Sequence, residues 1–350
     1  MITYAAAMLP WSTTLAGRFE EGVVDSVLLR DNPLGDPHER PIHVYLPPGY
    51  DESGDRRYPT VYVIQGYTGN VSTWFNRIPF RQSFPDLADA MFAAHEAPPT
   101  IVVYVDAWTA LGGSQFVDSP ATGPYHSYLC DEVVQWVDTR YRTLRDRDHR
   151  GISGKSSGGY GAMITPMLRP DVFGALATHA GDAAFEACYL PDFPRVARLL
   201  RDEYDGSYPA FFADSATRVF GTKASDLDLI ELYGYAAAYS GNADGSVSLP
   251  FDDTGMLVPD VWARWLDRDP VRMAANPEYA EALRSLKGIW IEAGDRDEYY
   301  LDLGATAFRR AVAAAGVPES SVYFELFDGK HGAIEYRYPR ALGWLCERLA

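Results

Sequence analysis

HRGISGKSSGGYGAM, residues 149–163, is the stretch on which the fold turns. It starts as a short β-type run, enters a cluster of glycines, and continues with helical spacing to Leu168, just before Pro170. Gly154 and Gly158 stand two residues before and two after Ser156. The spacing G-x-S-x-G in this context predicts a tight strand–turn–helix junction that lifts a serine hydroxyl clear of the strand end. Glycines on both sides keep that turn free of side-chain collisions. The helix N-terminus then aims backbone N–H groups at any oxyanion that forms there. A chain with 30 glycines can produce the same spacing in a plain loop, but such a loop lacks the β-run before and the helix after. A phosphate-binding loop ending at Gly154-Lys155-Ser156 would need glycine at position 149, where His149 stands.

Working outward, the same rhythm recurs on both sides of the junction. Short β-branched runs occur at 23–30, 41–46, 60–65, 100–106, 149–153, 175–180, 288–293 and 321–327. Helical spacing fills much of the space between them. Leu129, Val133, Trp136 and Val137 give one apolar face to a helix over 125–141, and Leu301, Ala305, Phe308 and Val312 do so over 299–315. Strands alternating with helices predict an α/β architecture with a mostly parallel, eight-stranded sheet. Residues 183–286 break the rhythm, being rich in aromatics, proline and acids without clear strands. The segment is too long for a loop, and the strand–helix pattern resumes after it. The expected organisation is therefore a core of 1–182 and 287–350 with an inserted, mainly helical cap at 183–286.

Composition narrows the function classes. The 350-residue chain is 47% hydrophobic and 23% charged, ordinary values for a folded protein with a sizeable core. A net charge of −17 argues against non-specific binding to nucleic acid or an anionic membrane. Cys130, Cys188 and Cys346 are odd in number, widely spaced and without a CxxC pair, as free thiols in a reducing compartment would be. The N-terminal apolar stretch has no basic region before it and is broken by Pro10 and Trp11, so it is not read as a signal peptide. No apolar run approaches the roughly 20 residues of a membrane span. A cytoplasmic location is the default expectation, and homo-oligomerisation is left open.

A serine on such a turn needs a base and an acid, which follow it in the order acid, then histidine. Only His179 and His331 lie downstream of Ser156. His331 sits in a glycine-rich loop after the last predicted strand, where a base belongs, whereas His179 is expected to line the pocket or enter the core. The loop after 288–293 offers Asp295, Asp297 and Glu298; Asp297 is the first choice for the acid and Asp295 the second. The acid would hold the imidazole tautomer and stabilise the imidazolium. Oxyanion donors are expected from the amides of Tyr67, which follows Gly66, and of Ser157. Gln65, Trp108, Gln115, Tyr125 and Lys155, with His179, are candidate substrate contacts. For Lys155 a solvated or salt-bridged side chain is the first reading and a substrate contact the second. The cap aromatics (Tyr189, Phe193, Tyr208, Phe211, Phe212, Trp262 and Trp265) could line an acyl pocket or form the cap's own core. His38-Glu39 and His43 do not have HExxH spacing, so no metal is expected, and no cofactor is needed.

VYLPPGYDESGDRRYPTVYVIQGYTG (44–69), YHSYLCDEVVQWVDTRYRT (125–143), GISGKSSGGYGAM (151–163), AGDRDEY (293–299) and FDGKHG (327–332) together resemble the putative-esterase family. That family includes S-formylglutathione hydrolases, enterochelin esterases, feruloyl and acetylxylan esterases and mycolyltransferases. The resemblance runs from about residue 22 to the C-terminus, leaving out most of 183–286. It implies an α/β-hydrolase fold and a serine esterase acting through an acyl-enzyme. It places the family's serine, acid and histidine on Ser156, Asp297 and His331, and its oxyanion amides on Tyr67 and Ser157. Three features depart from the family pattern. Gln65 stands where many relatives have histidine, Lys155 and Ser157 flank the serine where bulkier apolar residues are usual, and the cap matches no familiar subgroup. The expected substrate is a small-molecule ester, with siderophore, sugar, aromatic and thiol esters all open. Acyltransfer or peptide hydrolysis would use the same triad, and a non-catalytic ligand-binding member of the fold is the alternative outside catalysis.

Overall fold

The computed structural model describes residues 14–350 apart from Pro79. Most of the N-terminal stretch read above as no signal peptide lies outside the described residues. Eight strands form one sheet: β1 (Arg18–Asp25), β2 (Glu39–Leu46), β3 (Thr60–Ile64), β4 (Ile101–Val105), β5 (Arg150–Lys155), β6 (Ala175–His179), β7 (Gly288–Gly294) and β8 (Val322–Phe327). Their spatial order is β1-β2-β4-β3-β5-β6-β7-β8. β2 pairs antiparallel with both β1 and β4, and every pairing from β4 through to β8 is parallel. The strand–helix rhythm predicts a mostly parallel, eight-stranded sheet, and the arrangement is the α/β-hydrolase one that the family resemblance implies.

The central strands are buried on both faces, as a parallel sheet requires. β3 and β4 are buried at every position. Side chains alternate between two apolar layers. Tyr62, Ile64, Val103, Val105 and Ile152 face one layer, and Val61, Val63, Val102 and Tyr104 face the other. The second layer is closed by α1 (Phe84–Ala93) and the C-terminal helix Tyr338–Leu349. The first is closed by the helical stretch 125–140, which ends in α2 (Val134–Arg140), and by α3 (Ser157–Leu168). One wide π turn over Tyr128–Val133 interrupts the helix predicted at 125–141.

The first strand differs from its expected position. Residues 18–25 pair with β2, while 26–30, read from their apolar content as strand, form a turn. The amides of Val27 and Leu28 donate to the Glu132 carboxylate at 2.8 and 3.1 Å, and Ser26 Oγ accepts from Leu29 N. A carboxylate from a helix remote in sequence thus satisfies backbone that would otherwise need a strand partner, and no local pattern announces it.

Between β6 and β7 the chain is mainly helical. It forms α4 (Phe193–Tyr204), α5 (Tyr208–Ser215), α6 (Asp226–Ser240), α7 (Pro259–Leu266) and α8 (Pro277–Arg284), with shorter turns between them. Phe185, Phe193, Tyr239 and Trp265 belong to the same apolar cluster as Tyr160 and Met163 of α3. The insert therefore continues the core above one sheet face rather than forming a core of its own. Most of the insert's large aromatics fill it: Phe193, Phe211, Trp262 and Trp265 are buried among each other and their neighbours. All three cysteines are free and buried. Among the described residues, no helix is long and apolar enough to cross a membrane.

Candidate active site

Ser156 sits between β5 and α3 with φ 59° and ψ −127°, a conformation that costs a non-glycine residue about 1–3 kcal/mol. Its surroundings hold it there. The Ser156 amide donates to His179 O at 3.0 Å, and its carbonyl accepts from Tyr160 N at 2.9 Å. The flanking glycines are sterically required. A Cβ on Gly154 would lie 2.2 Å from Gly158 O, and one on Gly158 would lie 2.3 Å from Ile64 O. The two glycines pack backbone to backbone beneath the turn, which is why the motif tolerates no side chain at either place.

The loop after β3 approaches the serine closely. A Cβ on Gly66 would meet Ser156 Cβ at 3.1 Å. Tyr67 Oη donates to Leu111 O at 2.5 Å and Thr68 N to Gly112 O at 2.9 Å, fixing the loop. Ser157, at the first position of α3, has an amide that no helical carbonyl can satisfy. Both expected oxyanion donors, Tyr67 and Ser157, therefore belong to backbone that borders Ser156.

His331 lies in the loop after β8 and Asp297 in the loop after β7. His331 Nδ1 and Asp297 Oδ2 are 2.8 Å apart. The other oxygen of Asp297 accepts from Tyr299 N at 2.9 Å, and the side chain is fully buried. Tyr299 packs edge-on against the imidazole. Asp295, the second choice for the acid, is half-exposed and instead accepts from Gly329 N at 3.2 Å. Glu298 accepts the His331 amide at 3.0 Å and pairs with Lys330, and these contacts hold its carboxyl down at about 2.

Ser156 and His331 face one cavity of about 210 Å³. Gly66, Tyr67 and Lys155 line its floor, and the insert supplies the roof through Tyr189, Val196, Glu231, Leu232 and Tyr235. At its rim Arg195 pairs with Asp192 at 2.8 Å and with Asp228. Two carboxyls face the interior. Burial pushes Asp182 up, although it accepts from Tyr189 Oη at 2.9 Å and Gln115 Nε2 at 3.2 Å. Burial also raises Glu231 to about 7, against the single hydrogen bond from Tyr235 Oη at 2.7 Å. Burial lowers Lys155 to about 8.

The expected substrate contacts divide. Lys155 lines the cavity, is only partly exposed, and has no salt-bridge partner among the described residues. Gln65 and Gln115 are buried behind the Tyr67–Ser157 wall, where they border a small separate void. Gln115 is linked to the cavity wall through Asp182 and, by way of Tyr239, through Tyr189. Tyr125 and Trp108 are corrections, and His179 takes the core position, one of the two expected for it, rather than a substrate contact. His179 is buried with Nδ1 2.7 Å from Glu292 Oε1, inside an ion network with Arg337, because β6 turns its last side chain to the sheet face away from the cavity. Tyr125 is fully buried beside Arg40 at the start of the 125–140 helical stretch. Trp108 is part-exposed, its carbonyl accepting from Arg40, and does not border the cavity. Asp182, Glu231 and Tyr235 were not foreseen. The insert carries the last two, and only packing brings them over the serine. Asp182 lies three residues past the end of β6, the strand that follows the Ser156 turn, and that position is the available signal.

Comparison with known proteins agrees with this architecture. The family model described as putative esterase matches residues 37–212, about half of the chain. An endo-1,4-beta-xylanase/feruloyl esterase of Xylanibacter ruminicola is 27% identical over 153 residues, which is 43% of this chain and 20% of that protein. An esterase of Mycobacterium tuberculosis is 28% identical over 149 residues, 41% of this chain and 29% of that protein. The matched region thus spans a fifth to a third of these curated relatives. Among solved structures, a ferulic acid esterase superposes with a TM-score of 0.61 at 19% identity, covering 96% of this chain and all of the other. An S-formylglutathione hydrolase from Agrobacterium tumefaciens gives 0.58 at 17% identity, with 97% and 98% covered. With an eight-stranded sheet in the hydrolase order and a family match that spans the Ser156 turn, the chain belongs to the putative esterase family of α/β-hydrolases.

Proposed function

We propose that the protein is a serine carboxylic-ester hydrolase in which Ser156 is the nucleophile, His331 the base and Asp297 the acid. The observation that carries this reading is the union of a strained serine turn with a histidine held at 2.8 Å by a buried carboxylate, both facing one cavity. His331 removes the Ser156 proton as Oγ attacks the ester carbonyl. Asp297 keeps the imidazole proton on Nδ1, leaving Nε2 free to accept, and stabilises the imidazolium that forms. The amides of Tyr67 and Ser157 receive the oxyanion, each donor being worth roughly 3–4 kcal/mol in the transition state. His331 then protonates the leaving alcohol, and water releases the acyl group by the same steps in reverse.

The cavity walls support an organic ester of modest size as the substrate. Tyr189, Tyr235 and Leu232 offer aromatic and apolar surface, and Asp182 and Glu231 add polar groups that would fix its orientation. Fluorophosphonate labelling of the protein, with the labelled peptide mapped by mass spectrometry, tests the nucleophile directly. Turnover of 4-nitrophenyl acetate and butyrate is measured alongside. A label on Ser156, lost together with turnover in Ser156→Ala, is the expected result. Turnover that survives in folded Ser156→Ala sinks the mechanism.

A further inference from the structure

Lys155 precedes the nucleophile directly, and the protein leaves its charge unanswered. It lines the cavity with Ser156 and is only partly exposed. The carboxylates whose field reaches it are Asp297, Asp182, Glu335 and Glu298. Each is engaged elsewhere. Asp297 holds His331 at 2.8 Å, and Asp182 accepts from Tyr189 Oη at 2.9 Å. Glu335 pairs with Arg81 at 3.3 Å and Glu298 with Lys330 at 3.0 Å. Among the described residues, none lies within 4.0 Å of the Lys155 ammonium. Arg195, the cavity's other strong cation, is by contrast neutralised by Asp192 and Asp228. A half-buried ammonium without a counter-ion is costly, and an incoming anion with charge-assisted hydrogen bonds relieves that cost.

We propose that Lys155 is a specificity-determining residue that receives a free carboxylate on the substrate, so that the enzyme prefers carboxylate-bearing esters to their neutral counterparts. The proposal rests on Ser156 being the nucleophile. The rest of the cavity is compatible with an incoming anion. Burial pushes both Asp182 and Glu231 toward their neutral forms, and the rim carboxylates are already paired. A substrate carboxylate therefore meets an unpaired ammonium beside Ser156, while burial weakens the opposing charge of Asp182 and Glu231. At neutral pH Lys155 still carries its proton, its ammonium losing it only near 8.

Two substrate pairs test the proposal, one for each side of the scissile bond. 4-Nitrophenyl hemiadipate is compared with its methyl ester, and 3-carboxyphenyl butyrate with its methyl ester. The readout is the kcat/KM ratio of free acid to methyl ester. A charge-assisted contact predicts a wild-type ratio of about 10 or more in at least one pair. In Lys155→Met that ratio should fall to near one, whatever happens to the absolute rates, and in Lys155→Arg it should largely persist. Lys155→Gln is read in the same way should Lys155→Met not fold. A wild-type ratio near one in both pairs overturns the proposal, and so does a Lys155→Met ratio equal to the wild type. Fluorophosphonate labelling of each variant runs in parallel. Absence of label at Ser156 in the wild type breaks the nucleophile assignment itself and is thereby distinguished from failure of the charge preference.

Discussion

Asp297→Asn changes one oxygen to an NH2 group in a site that the structure defines closely. Asp297 Oδ1 accepts from Tyr299 N at 2.9 Å, and the asparagine oxygen can keep that bond. Its NH2 then falls where Oδ2 faces His331 Nδ1 at 2.8 Å. Two losses follow. The imidazolium formed during attack loses a buried counter-charge, which at about 4 Å between charge centres and an effective dielectric of 20 is worth about 4 kcal/mol, or roughly 10³ in rate. The NH2 also donates to Nδ1 and so favours the tautomer with its proton on Nε2, which cannot accept from Ser156. Together they predict a drop of about 10³–10⁴ in kcat/KM on 4-nitrophenyl butyrate, with thermal stability close to wild type. Asp295→Asn can keep its half-exposed loop contact to Gly329 N through the amide oxygen and loses only a long approach to Arg296, so activity should stay within about tenfold. If Asp297→Asn keeps more than a tenth of wild-type activity, or Asp295→Asn falls as far as Asp297→Asn, the acid is misassigned and the reasoning fails.

Three further outcomes follow from the same geometry. Gly158→Ala places a methyl 2.3 Å from the Ile64 carbonyl, so it should destabilise the fold by about 3 kcal/mol and abolish labelling of any protein recovered; a stable, labelled variant would contradict the steric account of the motif. In the buried His179–Glu292–Arg337 network, burial alone would raise Glu292, but His179 and Arg337 outweigh it and leave the carboxyl below its ordinary 4.5. Its stabilising contribution is therefore complete above pH 4.5 and fades as pH falls through the lower, folded value, and Arg337→Met should cost about 3–5 kcal/mol near neutrality in a denaturant titration. Finally, because burial lowers Lys155 to about 8, any preference for carboxylate-bearing esters should halve near that pH and vanish by about pH 10, measured as the ratio so that pH effects common to both substrates cancel.

The local parts of the site are the ones the sequence made legible. Gly154, Ser156 and Gly158 could be read because a sharp turn between strand and helix restricts neighbours that are adjacent in the chain, and their identities record that restriction directly. His331 and the acidic loop at 295–298 could be read because each follows a strand with a clear β-pattern, and a parallel sheet carries the ends of its strands to one edge. What tertiary structure alone decided are matters of direction and distance. Asp297 rather than Asp295 meets His331 because two loops from neighbouring strands converge, and nothing in GDRDE states which carboxylate turns inward. His179 and Tyr125 were drawn toward the pocket by their place in the sequence, yet both are buried in the core, His179 in an ion network and Tyr125 beside Arg40, at contacts that no local pattern encodes. The insert's aromatics gave no sign of their separate fates, since burial in a core and exposure to a cavity draw on the same residue types. Tyr235 faces the site and Trp265 does not, although both belong to the insert that packs on α3, because only the three-dimensional path of that insert sets which side chains overhang Ser156.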